Sequence, residues 1–283
     1  MPEYTDQFVT LNGCRLHYQD WGDAAAPPLL CVHGLTQQSH SFDGMARHLA
    51  TRFRCVAMDL RGRGDSDWAP PETYNVVQYA KDALALLDHL GIEATDYVGT
   101  SLGGLTAMSI ARMAAPRLRR VVLNDIGPEI AAEGLARIAQ AVGDRSDARF
   151  TSVDDYIERG VLTYFYWLKD RPRDAVRELA RWNLHREADG TFRVKYDPAV
   201  RGASTPTPQE VQARDKFLWE GFRAFTGSLL LIRGGESDLL APPTVQAMQA
   251  AQPQLRVAEV PGVSHAPTLD EAEAQAALDA FLT

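Results

Sequence analysis

Four compact apolar runs, LLCVHG (29–34), RCVAMD (54–59), TDYVGTS (95–101) and RRVVLND (119–125), constrain the fold more than any other feature of the chain. Each is too short for a buried helix and apolar at successive positions, so each reads as a strand covered on both faces. Helical patterns lie between them. In residues 75–90, Val76, Ala80, Ala83, Leu84, Leu87 and Leu90 recur at intervals of three and four before Gly91. Residues 102–115 follow a similar rhythm up to Pro116. Alternating strands and helices predict an α/β, doubly wound, mostly parallel sheet.

Two flanking features extend this frame. FVTL and CRLHYQDW lie on either side of Asn12-Gly13, which predicts a hairpin closed by a type I′ turn. The alternation stops after Pro128, and helix-prone stretches fill the chain to about residue 222, including AAEGLARIAQAV, VDDYIERGVLTYFYW and RDAVRELARWNL. A polar loop, YDPAVRGASTPTPQE, follows them; strands and helices then return in SLLLIRGG, a helix from Pro242, LRVAEV and DEAEAQAALDAFL. The expected organisation is therefore a core of residues 1–127 and 223–283, with a helical cap inserted at 128–222.

Composition narrows the partners. With 37 acidic against 29 basic residues the net charge is −8, which disfavours nucleic acid and anionic membranes as partners. The local exception, RLRR at 117–120, reads as a solvated helix-to-strand corner. MPEYTDQFVT lacks the basic and apolar regions of a signal peptide. Cys14, Cys31 and Cys55 are sparse and lack metal-ligand spacing, so buried reduced thiols in the cytoplasm are expected.

Within this frame, Ser101 stands between Gly99 and Gly103 where a strand gives way to a helix. Such a GxSxG corner exposes a hydroxyl at the tip of a sharp turn. A serine hydroxyl attacks only when a base takes its proton and a third group orients that base. The partners must come from loops at the carboxyl edge of the sheet. His265, in VPGVSHAP after the last strand, meets that condition, as does His33 in CVHGL. His17, His48 and His89 read as surface or packing residues, His40 follows the His33 loop without an assigned role, and His185 has no second ligand at metal spacing. Two acids stand on the correct edge in the order Ser, Asp, His: Asp238 past SLLLIRGG, and Asp125 in VVLNDIGP. The developing oxyanion of acyl transfer needs donors, which are assigned to the N–H groups of Leu35, beside Gly34, and of Leu102.

HGL, DLRGRGDSD, GTSLGG, GGESD and GVSHAP occur in this order across nearly the whole chain. Together they resemble the α/β-hydrolase superfamily. The resemblance implies an eight-stranded sheet with a helical cap, Asp238 as the usual acid with Asp125 as the alternative, His33 and Gly34 in the loop supporting the oxyanion site, and Asp59, Arg61 and Asp65 holding a tight turn. DLRGRGDSD opens no helix and lacks the third glycine of a dinucleotide fingerprint. Haloalkane dehalogenases and epoxide hydrolases of this superfamily carry aspartate where Ser101 stands. The expected activity is a serine esterase or lactonase, needing no metal or organic cofactor and acting on a small ester-like molecule. A serine-dependent carbon–carbon bond hydrolase, a perhydrolase and a ligand-binding receptor on the same scaffold are the alternatives. The aromatic residues Tyr164, Phe165, Tyr166, Trp167, Trp182 and Trp219 are candidates for an apolar pocket, with most of them expected to pack within the cap.

Overall fold

The structure is a computed structural model that describes residues 4–201 and 207–283. An eight-stranded sheet is built from β1 (Tyr4–Leu11), β2 (Cys14–Trp21), β3 (Pro28–Val32), β4 (Arg54–Met58), β5 (Thr95–Thr100), β6 (Leu118–Asn124) and two late strands, β9 (Ser228–Gly234) and β10 (Arg256–Val260). The order is β1-β2-β4-β3-β5-β6-β9-β10. β1 and β2 form the antiparallel hairpin predicted at Asn12-Gly13, with φ of 47° and 73° at these residues. β2 also pairs antiparallel with β4, and the remaining neighbours are parallel.

The continuous apolar strands are explained by two cores, one on each face. Leu30, Val32, Val56, Met58, Tyr97 and Val121 point to the side covered by α2 (Val76–His89) and α3 (Leu102–Ala114). Leu29, Cys31, Cys55, Ala57, Val98 and Val122 point to the other, covered by α1 (Asp43–Leu49) and the last helix, α9 (Ala272–Phe281). Odd and even residues of one strand thus serve different cores, so neither set can be polar. From β3 the chain passes outward to β4 and then returns across β3 to β5. The order reverses there, which opens a crevice at the carboxyl ends of β3 and β5.

Between β6 and α7 (Pro208–Arg223) the chain leaves the sheet. This excursion contains α4 (Ala132–Ser146), α5 (Val153–Tyr156), a wide helical turn at Ile157–Leu162, α6 (Arg173–Arg181) and a small hairpin of β7 (Leu184–Arg186) and β8 (Phe192–Val194). Phe150, Tyr156, Ile157, Val176, Val194 and Tyr196 give it a core of its own. The expected insertion ran to residue 222, but α7 packs differently. Its Leu218 and Phe222 join the main core, and its Gly221 lies so close to α3 that a Cβ there would stand 2.2 Å from the Met108 carbonyl oxygen. α7 therefore belongs to the layer on the sheet, with α8 (Pro242–Ala251) beside it in the same core. Residues 202–206 of the polar loop lie outside the described residues. No helix among the described residues is long and apolar enough to cross a membrane.

Candidate active site

Ser101 occupies the corner between β5 and α3 with φ 50° and ψ −110°, a backbone state that costs a non-glycine residue energy and that a tight turn must impose. The flanking glycines explain how it is imposed. A Cβ on Gly103 would lie 1.9 Å from the Val32 carbonyl oxygen, and one on Gly99 would lie 2.5 Å from the Gly103 backbone. Helix and strands can close on one another only where those atoms are missing. The Ser101 N–H donates to the Asn124 carbonyl at 3.0 Å, leaving the hydroxyl to face the loop after β10.

On that loop His265 is 4% exposed and its Nε2 lies 2.9 Å from Ser101 Oγ. Its Nδ1 lies 2.8 Å from Oδ2 of Asp125, a fully buried residue just beyond β6. A carboxylate can only accept, so Nδ1 carries the proton and Nε2 is left to accept from the serine hydroxyl. Two further donors hold Asp125: Gly234 N–H to Oδ1 at 2.9 Å and the Ser237 hydroxyl to Oδ2 at 2.6 Å.

The preferred expectation for the acid is thereby corrected, because Asp125 and not Asp238 meets the histidine. Asp238 lies beyond the turn that follows β9, and its side chain is turned toward α4, where Arg137 grips it through two bonds of 2.5 and 2.7 Å. Burial pushes the Asp238 carboxyl up, but the Arg137 guanidinium outweighs this and holds it below its usual value. Arg137 also donates to the Tyr164 carbonyl at 3.0 Å, so the pair ties the excursion to the sheet. Both acids satisfy chain order and sheet edge. What separates them is Arg137, a partner 101 residues away with no local sequence signal.

The loop after β3 is shaped around the peptide joining Gly34 to Leu35. Its carbonyl oxygen accepts from His33 Nδ1–H at 2.7 Å and from Gln37 N–H at 3.3 Å. Because the peptide is planar and trans, fixing that oxygen aims the Leu35 N–H the opposite way. Arg63 fixes the following peptide by donating to the Leu35 carbonyl at 3.1 Å. The Leu35 N–H makes no hydrogen bond among the described residues, and that of Leu102 opens α3, where no intrahelical acceptor exists.

His33 keeps this arrangement only as a neutral ring. Its Nε2 accepts from the Leu60 N–H at 3.0 Å, and complete burial lowers its pKa from 6.5 to about 4. A histidine with a depressed folded pKa stabilises the fold above its unfolded pKa, and that contribution is lost as pH falls from about 6.5 toward 4. The full loss amounts to about 3 kcal/mol. Chemical denaturation of wild type and His33→Gln between pH 7 and 4 should therefore show stabilities that converge as acid is added. Parallel pH profiles would contradict the neutral buried ring.

The remaining expected residues have structural partners. Asp59 accepts from the N–H groups of Ser39 at 2.6 Å and Asp65 at 2.8 Å and pairs with His17 at 2.7 Å, while Arg61 grips Asp82 at 2.6 and 2.8 Å. Ligand atoms of His17, Asp59 and Asp65 lie within 4.8 Å of one another, but the second His17 nitrogen is occupied by Asp6 at 3.0 Å. His40 stacks on Trp182 with ring centroids 3.5 Å apart.

Two adjoining cavities open beside Ser101. One, of about 60 Å³, is bounded by Gly34, Leu35, Ser101, Ile138, Arg145 and His265. The other, of about 110 Å³, runs under the excursion between Tyr156, Val161, Trp167, Leu179, Asn183 and Leu269. Thr36, Gln37, Thr100, Arg145, Phe165 and Ala266 border both. Of the aromatic candidates, Phe165 and Trp167 line these spaces. Tyr166 is exposed, and Trp219 donates to Glu129 on the surface. Arg145 carried no signal in the sequence beyond its place in a helix-prone stretch.

Comparison with known proteins places this geometry in context. Residues 27–272 match the family described as the alpha/beta hydrolase fold. A 3-hydroxybutyrate-oligomer hydrolase of Cupriavidus necator is 34% identical over 269 residues, covering 90% of this chain and 88% of that protein. A 2-(acetamidomethylene)succinate hydrolase of Mesorhizobium japonicum is 29% identical over 261 residues, covering 91% and 87%. The crystal structure of an alpha/beta hydrolase from Novosphingobium aromaticivorans superposes with a TM-score of 0.87 at 35% identity, covering 100% of this chain and 99% of that one. With a matching family across most of its length and the eight-stranded, mostly parallel sheet that the resemblance implies, the chain belongs to the α/β-hydrolase superfamily.

Proposed function

We propose that the protein is a serine hydrolase that cleaves small carboxylic esters or lactones through an acyl-enzyme. The observation that carries this reading is the continuous chain Ser101 Oγ, His265 Nε2, His265 Nδ1, Asp125 Oδ2, with contacts of 2.9 and 2.8 Å. In the first half-reaction Ser101 Oγ bonds to the ester carbonyl carbon while His265 Nε2 takes its proton. The Leu35 and Leu102 N–H groups receive the negative oxygen, and Asp125 balances the imidazolium. The carbon–oxygen bond to the alcohol then breaks, and the alcohol leaves with the proton from His265. Water repeats the sequence on the acyl-serine, His265 acting first as base and then as acid, which releases the carboxylic acid and restores Ser101.

The adjoining cavities suit a substrate of few carbons, and the relatives supply the first compounds to try, beginning with oligomers of 3-hydroxybutyrate. The buried free thiols Cys14, Cys31 and Cys55 are compatible with a reducing compartment such as the cytoplasm. p-Nitrophenyl acetate tests the chemistry independently of the natural substrate. The proposal expects sustained release of nitrophenol over many turnovers. One slow turnover that leaves an acylated, silent protein would favour the receptor alternative.

A further inference from the structure

We infer that Arg145 is the anchor for a carboxylate on the substrate, so that the esters cleaved best carry a free acid group. The inference rests on the serine-hydrolase reading for the meaning of the pocket and on separate observations for the anchor. Arg145 is 4% exposed, at the end of α4, and borders both the cavity that holds Ser101 and the deeper one beside it. Among the described residues no carboxylate pairs with it. Asp144 bonds the Tyr164 hydroxyl, and the exposed Asp147 faces Arg201 at 3.6 Å.

The other buried arginines are differently served. Arg61 has Asp82 and Arg233 has Glu259, while Arg63, which like Arg145 meets no carboxylate among the described residues, is held by the Leu35 and Arg61 carbonyls and the Tyr79 hydroxyl. None of those three borders the cavities at Ser101. Arg145 donates Nε to the Ala141 carbonyl at 2.8 Å, one terminal nitrogen makes a long 3.4 Å contact with Thr36 Oγ1, and the neutral Tyr156 hydroxyl is also within its reach. The guanidinium carbon lies over the Phe165 ring, 5.4 Å from its centroid.

A buried guanidinium without a counterion is costly to the free protein, and a ligand that supplies one removes the cost on binding. The planar fork favours a carboxylate, which can accept two parallel bonds. Because the small cavity touches both Arg145 and Ser101, the carboxylate and the scissile carbonyl belong to one short molecule. The lining of the deeper space also holds two buried side-chain atoms that have no hydrogen-bond partner among the described residues, Trp167 Nε1 and Asn183 Oδ1, so that space too is prepared for a polar ligand.

The test compares the linear dimer of 3-hydroxybutyrate as its free acid with the same dimer as its primary amide, where the scissile ester is identical and the charge is gone. Wild type should prefer the acid in kcat/KM by roughly ten- to a hundredfold, the range expected of a charge-assisted pair. Arg145→Gln should reduce that ratio to near one, and Arg145→Lys should keep part of it. Equal turnover of both compounds by wild type, or a preference that persists in Arg145→Gln, would overturn the anchor while leaving the hydrolase reading intact. A second measurement needs no turnover: 3-hydroxybutyrate should slow fluorophosphonate labelling of wild-type Ser101 more than its primary amide does, and equal protection would also overturn the anchor. Failure of the fluorophosphonate to label Ser101 at all would instead count against the hydrolase reading.

Discussion

Replacing Asp125 with asparagine lowers kcat/KM for p-nitrophenyl acetate by roughly ten-thousandfold, while the same change at Asp238 costs less than about tenfold. The asymmetry follows from what each carboxylate touches. Asp125 is buried and accepts the Nδ1 proton of His265 at 2.8 Å, so an amide there can present its NH2 to the ring and stabilise the wrong tautomer. It also withdraws the negative charge that offsets the imidazolium formed during attack. Asp238 holds only the latch to Arg137, and the two side chains are 24% and 20% exposed, a setting in which water screens much of the pair. Losing it loosens the attachment of α4 and leaves the histidine in place. A crippled Asp238→Asn beside an active Asp125→Asn would reverse the assignment.

Ser101→Ala should abolish turnover by a larger factor, on the order of a millionfold, down to whatever the oxyanion donors and binding achieve alone. His265→Ala should fall to a similar level, because neither group works without the other. The double variant should then be no worse than either single one. Such non-additivity separates a nucleophile–base pair from two residues that contribute independently. The comparison is read as kcat/KM on the aryl ester, with circular dichroism verifying the fold of each variant. Independent losses that multiply in the double variant would contradict the pairing.

Much of this architecture is legible in the residues because the relevant constraints are local. Asn12-Gly13 dictates its turn, the strands announce two buried faces by carrying apolar residues at successive positions, and Gly99 and Gly103 mark where backbone must touch backbone. The acid was not legible to the same degree. Asp125 and Asp238 satisfy the same rules of order and edge, and they are distinguished by Ser237, Gly234 and Arg137, all brought in by the fold. The end of the insertion is hard to read from the residues for a related reason. An amphipathic α7 carries no mark saying which core it will join, and the close approach of Gly221 to Met108 becomes evident only in three dimensions. In the aromatic stretch, helical spacing cannot tell Phe165, which lines the cavity, from Tyr166, which faces solvent.

In the proposed reaction Ser101 is made nucleophilic by His265 and Asp125. Mass-spectrometric mapping after treatment with a fluorophosphonate tests it most directly, since that reagent forms a lasting bond only with an activated hydroxyl. An adduct is expected on the peptide containing Ser101 in wild type and in Asp238→Asn, with labelling slowed by orders of magnitude in His265→Ala and Asp125→Asn. Modification at another serine, or equal labelling rates across all four proteins, would contradict it.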